Sequence, residues 1–200
     1  MTVWLEQYKP VFFDDLLTSA QVIDSLKHLA LQANPPHLLL SGPSGCGKTA
    51  ALQLVCRQVL GPSWRATTHI LQARDLNKTA GAMAKFEAFL RPEGAGSEDT
   101  LAGRTSLDAF DHNISATADA SPPPAGEESV APQAGTFAAV SRIIIIEDAD
   151  YLGHARQSYL RRMMEESSRS ARFLFTTHTP SRIIEALRSR TQHVRMPSLT

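Results

Sequence analysis

Apolar residues fall into two textures along this chain. Unbroken runs stand at 37–40, at 142–146 and at 172–177, where Leu38-Leu39-Leu40, Ile143-Ile144-Ile145-Ile146 and Phe173-Leu174-Phe175 leave no alternation. Short runs of this kind, bounded by turn residues, read as strands covered on both faces of a parallel sheet. Weaker strands are expected at 69–73 and 193–196. Between the runs, apolar positions return at helical spacing. Val22, Ile23 and Leu26 mark a helix that Ser19 can cap and that Asn34-Pro35-Pro36 ends. A second helix opens at Ala50 and closes at Gly61-Pro62-Ser63. Met83, Phe86 and Leu90 place a third over 79–90, and Ala155, Tyr159, Met163 and Met164 a fourth over 154–167. A short one is expected at 182–187. Strands alternating with helices predict an α/β fold, a doubly wound central parallel sheet flanked by helices.

The pattern breaks at Arg91-Pro92. From 93 to 136 the chain is rich in Gly, Ser, Ala, Pro, Asp and Glu, with Ser121-Pro122-Pro123-Pro124 inside it. Such a stretch buries too little apolar surface to offset its ordering entropy. A structureless segment this long is normally evidence against the assignment of elements around it. Clear motifs resume on its far side, so 93–136 is expected to be a disordered surface insertion in one domain spanning 1–200. A transient helix can form at 101–110. No internal repeat is visible.

The strand at 37–40 runs into Gly42-Pro43-Ser44-Gly45-Cys46-Gly47-Lys48-Thr49, which fits the phosphate-loop pattern G-x-x-x-x-G-K-[ST]. Glycines let consecutive N–H groups converge on one concavity. Lys48 sets a cation near the β- and γ-phosphates, and the Thr49 hydroxyl can ligand Mg²⁺. The following helix adds its positive end. A second group of polar residues ends the isoleucine run: Glu147, Asp148 and, two further on, Asp150. Open α/β sheets bind ligands at the C-terminal ends of their strands. Glu147 is expected on the metal side and Asp148 as the base that activates water. Strand-end acids also serve simply to stop a strand at the surface, and Asp150 can cap the next helix.

Bulk composition narrows the partners. Lys and Arg total 20 and Asp and Glu 20, so a polyanion would have to be met by a local patch. The two cysteines, Cys46 and Cys56, read as packing residues of a reducing compartment. No leader pattern and no apolar run near the ~20 residues that span a bilayer are seen, so a cytosolic protein is expected. Lys78 and Lys85 are either a solvated face or phosphate contacts. Arg161 and Arg162 can form surface ion pairs or, on what a family resemblance would imply, part of an assembly face. No Cys/His spacing suggests zinc.

Trp4-Leu5-Glu6-Gln7-Tyr8-Lys9-Pro10 resembles the N-terminal box of replication factor C subunits, close to Trp-Val-Glu-Lys-Tyr-Arg-Pro. The phosphate loop, Glu147-Asp148-Ala149-Asp150, the helix through Arg161-Arg162-Met163-Met164-Glu165 and Ile183-Ile184-Glu185 to Ser189-Arg190 follow in that family's order. The resemblance covers Trp4 to about Leu199, the insertion excepted. It implies an AAA+ ATPase module. Lys9 and Pro10 would pack near adenine, and Gly42, Pro43, Ser44, Gly45, Cys46, Gly47, Lys48 and Thr49 would bind the phosphates of ATP. Thr49 and Glu147 would hold Mg²⁺, with Asp148 as base. His178 stands where the family has the Asn that senses the γ-phosphate, and Arg190 is the finger that enters a neighbour's site.

The resemblance further implies an ATP-binding subunit of a DNA sliding-clamp loader in the cytoplasm, or in the nucleus of a eukaryote. Its partners would be other clamp-loader subunits, the sliding clamp and primer-template DNA, with no membrane. The alternative is a catalytically weak structural subunit that supplies its finger to a neighbour. A generic AAA+ remodeller fits the N-terminal box less well. Four departures from the family pattern stand out, the first two bearing on hydrolysis and the last on DNA contacts. The acids run Glu then Asp where the family has Asp then Glu, His178 replaces Asn with Thr177 beside it, Thr191 replaces the Cys after the finger, and 73–77 does not follow the family pattern. The chain also stops before the helical lid and collar, so it is either a fragment or lacks them.

Overall fold

The computed structural model describes residues 8–32, 34–76, 140–167 and 171–198, with positions 81, 83, 84, 86 and 90. Helices α1 (Ala20–Leu31) and α2 (Lys48–Leu60) flank strand β1 (His37–Ser41). A short helix α3 (Trp64–Thr67) leads into β2 (Thr68–Gln72), which runs straight into the single turn α4 (Ala73–Leu76). Past Val140 come β3 (Arg142–Glu147), α5 (Gly153–Glu166), β4 (Ala171–Thr177), α6 (Glu185–Arg188) and β5 (Thr191–Arg195). The described strands form one five-stranded sheet, every pairing parallel, in the order β2-β3-β4-β1-β5.

The unbroken apolar runs feed two cores at once. Leu38 and Leu40 of β1, Ile143 and Ile145 of β3 and Leu174 of β4 face α1 and α2, against Leu26, Ala30, Leu52 and Val55. Their neighbours Leu39, Ile144, Ile146, Phe173 and Phe175 face the other way, against Leu160, Met163 and Met164 of α5 and Leu187 of α6. A period-2 strand between two helical layers must be apolar at every position, which is why no alternation survives in the sequence. Burying four isoleucines, each at most 1% exposed, contributes about 1.5–3 kcal/mol per side chain before entropy is counted.

Several boundaries differ from expectation. The helix after the phosphate loop begins at Lys48, two residues early, because Gly47 itself provides the cap position. Ala73 leaves the strand and starts α4. The expected helix at 182–187 divides into a 3₁₀ turn, Pro180–Arg182, and α6, while the last strand begins at Thr191. Ser19 precedes α1 as expected, but its carbonyl, not its hydroxyl, takes the first amides, those of Val22 and Ile23. Of the helix expected at 79–90, Phe86 and Leu90 are buried in the second core. Lys78, Lys85 and the insertion at 93–136 lie outside the described residues, as does the box from 1 to 7.

The N-terminal ends of β1 and β4 carry two basic residues, Arg172 buried and His37 half-buried. Arg172 is 5% exposed and gives its guanidinium to the carbonyls of Pro35 and Ala171 and to the Asn34 side chain. Beside it, His37 accepts the Phe173 amide on Nδ1 at 3.0 Å. Burial, and secondarily the Arg172 charge, push the His37 pKa down to about 4 from 6.5. The unfolded chain therefore binds a proton there before the folded one does. Stability from this group is fully present above pH 6.5 and is lost as pH falls toward 4, by about 3 kcal/mol in all. Denaturant unfolding across that window should show the decline, and His37→Asn should flatten it. A decline of equal size in the variant would rule His37 out as its source.

Candidate nucleotide-binding site

A parallel sheet sends the C-terminal ends of all its strands to one edge. With β3, β4 and β1 adjacent, the residues after Ser41, at Glu147-Asp148 and at His178 emerge side by side. The phosphate loop is pinned from both flanks. The Gly42 amide donates to the Thr177 carbonyl at 3.2 Å, and the Met196 amide donates to the Ser41 carbonyl at 2.7 Å. This closeness leaves no room at Gly42, where a Cβ would stand 2.4 Å from the Met196 carbonyl oxygen. At the other end Gly47 has φ 87°, a left-handed conformation that turns the loop into α2 and costs glycine nothing.

Lys48 is the first residue of α2 and is 7% exposed. Its Nζ donates to the carbonyls of Gly42, at 3.0 Å, and Pro43, at 2.7 Å, so the ammonium lies within the curl of its own loop. Cys46 Sγ is 4.0 Å from it. Both cysteines are free and buried, and burial pushes the Cys56 thiol up to about 12, which leaves it unreactive.

Thr49, one residue further, points at the acidic strand end. Its hydroxyl donates to Glu147 Oε1 at 2.5 Å, while the other oxygen, Oε2, accepts from Gln72 Nε2 at 3.2 Å. Three elements, α2, β3 and β2, thus converge on one carboxylate. A hydroxyl and a carboxylate oxygen side by side suit Mg²⁺, which takes one or two protein oxygens and completes its shell with substrate phosphates and water. Among the described residues no three His, Cys, Asp or Glu side chains gather into a further metal centre.

Asp148 adopts φ 52°, the one described non-glycine residue with positive φ. The reversal of direction is tolerable for aspartate and swings its side chain away from that of Glu147. Its amide donates to Thr176 Oγ1 at 3.0 Å. Its carboxylate takes Arg74 Nε on Oδ2 at 2.6 Å and His178 Nε2 on Oδ1 at 2.9 Å. Arg74 in turn lies over the Tyr151 ring at 4.5 Å. Asp150 does not cap α5. It is buried, and its Oδ1 accepts from the Thr177 hydroxyl at 3.1 Å and the His178 amide at 3.4 Å. A buried carboxylate takes the donors nearest it, and the ends of β3 and β4 are nearer than the helix amides. Thr177, the alternative at the sensor position, is thereby committed to Asp150.

The other expected residues lie elsewhere. Lys9 and Pro10 are half-buried ahead of the turn Phe13–Asp15, whose Phe13 joins the same core as α2. Arg57 of α2 donates to the Val11 carbonyl at 3.2 Å and ties this segment to the helix behind the phosphate loop. Arg190 is exposed just past α6. Its NH1 donates to the Ala186 carbonyl at 2.9 Å and its NH2 to Glu165 Oε1 at 2.6 Å. Two residues of the site, Gln72 and Arg74, were missing from the sequence reading. Gln72 stands opposite Glu147 in the β2–β3 register, a relation visible only once those strands are known to pair.

Residues 38–198 match the family described as ATPase family associated with various cellular activities (AAA). The chain is 31% identical over 188 residues to the replication factor C small subunit of Archaeoglobus fulgidus, covering 94% of this chain and 46% of that protein. Identity to the same subunit of Natronomonas pharaonis is 28% over 188 residues, and to replication factor C subunit 4 of Schizosaccharomyces pombe 28% over 197. The chain thus spans a little under half the length of these relatives. Two variants of Thermotoga maritima RuvB share its fold at TM-score 0.59 and 14% identity, over 96% of this chain and 48% of theirs.

Proposed function

The chain belongs to the AAA ATPase family, and from that premise we propose that it binds Mg·ATP and serves as an ATPase subunit of a DNA sliding-clamp loader. The observation that carries the reading is the contact of Thr49 with Glu147 at the mouth of a loop curled round Lys48. In the proposed complex the loop amides and Lys48 hold the phosphates, the ammonium exchanging the Gly42 and Pro43 carbonyls for phosphate oxygens. Thr49 and Glu147 would hold Mg²⁺, which would supply positive charge against that of the phosphoryl group being transferred. Lys9 and Pro10 flank adenine. Asp148 orients the attacking water and accepts its proton, and His178 stands beside it as the group that meets the γ-phosphate. Arg190, held on the face of α5 and α6, acts on a neighbour's nucleotide.

The names of the relatives, replication factor C subunits from archaea and yeast, support the clamp-loader part of the proposal. Its partners are then other loader subunits, the clamp and primer-template DNA. No described helix is long and apolar enough to cross a membrane. One observation favours the weaker alternative, a structural subunit with slow hydrolysis. Asp148 is short for a base and is already engaged by Arg74 and His178.

Calorimetric titration with ATP and Mg²⁺ tests the shared foundation of both. The chain should bind, and Lys48→Ala should weaken binding by roughly 10- to 100-fold, the loss of a charge-assisted contact. A folded variant with undiminished affinity would sink the phosphate-loop assignment.

A further inference from the structure

Glu165 stands on the outer face of α5, one residue before its end, and the proposed chemistry gives it no other role. We propose that it is the positioning residue for Arg190, holding the guanidinium in the pose from which it enters the adjoining subunit's site. The inference rests on the reading of Arg190 as a finger acting in trans.

Arg190 needs such a hold. It lies two residues past α6, a helix of only four residues, on an exposed turn. A long arginine side chain there carries large rotamer entropy, which an unassisted finger loses at the moment of catalysis. Two contacts remove that freedom in advance. NH1 is fixed by the Ala186 carbonyl at 2.9 Å, within the same turn. NH2 is fixed by Glu165 Oε1 at 2.6 Å, from outside it. The anchor is a rigid one, because Leu160, Met163 and Met164 bury the opposite face of α5 in the second core. Arg161 also approaches the same Oε1, but at 4.0 Å against 2.6 Å, so Arg190 holds the closer share of the charge. The guanidinium has five N–H donors, and these two bonds leave three for a phosphate.

The test is steady-state phosphate release by the chain reconstituted with the other subunits of its complex. Glu165→Ala should lower kcat about five-fold with KM unchanged, as expected for an exposed charged contact that acts on the transition state. Glu165→Gln, which keeps an acceptor oxygen, should fall between it and the unaltered chain. In an Arg190→Ala background Glu165→Ala should have no further effect, a coupling that a merely structural role would not produce. If Arg190→Ala collapses turnover while Glu165→Ala leaves it unchanged or raises it, the positioning role is overturned and the finger stands. If Arg190→Ala itself changes nothing, the finger reading fails first and Glu165 loses its role with it.

Discussion

Phosphate release by the isolated chain should be slow, and assembly with partner subunits should raise it by roughly 10³- to 10⁵-fold, the range an arginine finger supplied in trans contributes. The structure gives the physical reason. The Arg190 guanidinium is bonded to Glu165 and Ala186, on the face formed by α5 and α6, while Lys48, Thr49 and Glu147 converge at the C-terminal ends of β1 and β3. On the proposed reading a monomer has a cradle for the phosphates, and its own Arg190 is not directed at them. Arg190→Ala, introduced into this chain alone, should remove the stimulation of the neighbouring site while this chain still binds its own ATP. Rapid hydrolysis by the monomer, indifferent to partners, would contradict the clamp-loader mechanism.

Asp148→Asn should lower turnover of this chain's own site by about 10² to 10⁴ in the assembly, the usual contribution of a positioned general base, with ATP affinity little changed. Asparagine keeps the shape and the left-handed backbone that position requires but cannot take a proton. The companion variant is Asp148→Glu. It restores the longer acid, yet the extra methylene also shifts the carboxylate against Arg74 and His178, which now hold it at 2.6 and 2.9 Å. A modest gain, visible only with partners present, is the expected outcome. An assembly whose site stays inert with either acid would favour a structural subunit.

Much of this was legible in the chain before any coordinates. The isoleucine run, the phosphate loop and the acids behind it follow from local rules: a covered strand must be apolar throughout, and a loop that wraps phosphate needs its glycines. Glu147 and Thr49 are 98 residues apart, and their pairing could still be expected because both motifs announce the same ligand. What escaped depends on adjacency. Arg74 lies in the segment 73–77, outside the motifs that carry the resemblance, and nothing local says that the turn after β2 faces Asp148. Asp150 looked like a cap because a helix follows it, but burial beside Thr177 gave its oxygen a nearer donor. Tertiary contact overrode the short-range reading of Asp150 and supplied for Arg74 what no local signal carries.

The parallel sheet has one more effect, concerning length. Val140 stands ahead of the first residue of β3, and Glu147 is the last of that strand's six residues. At about 3.3 Å per residue the point of entry lies close to 20 Å from the acid end. The spacing of Thr49 from Glu147 and the hold on Asp148 are therefore fixed at the far end of β3 by the pairing of the sheet, a full strand length from where the described chain enters it.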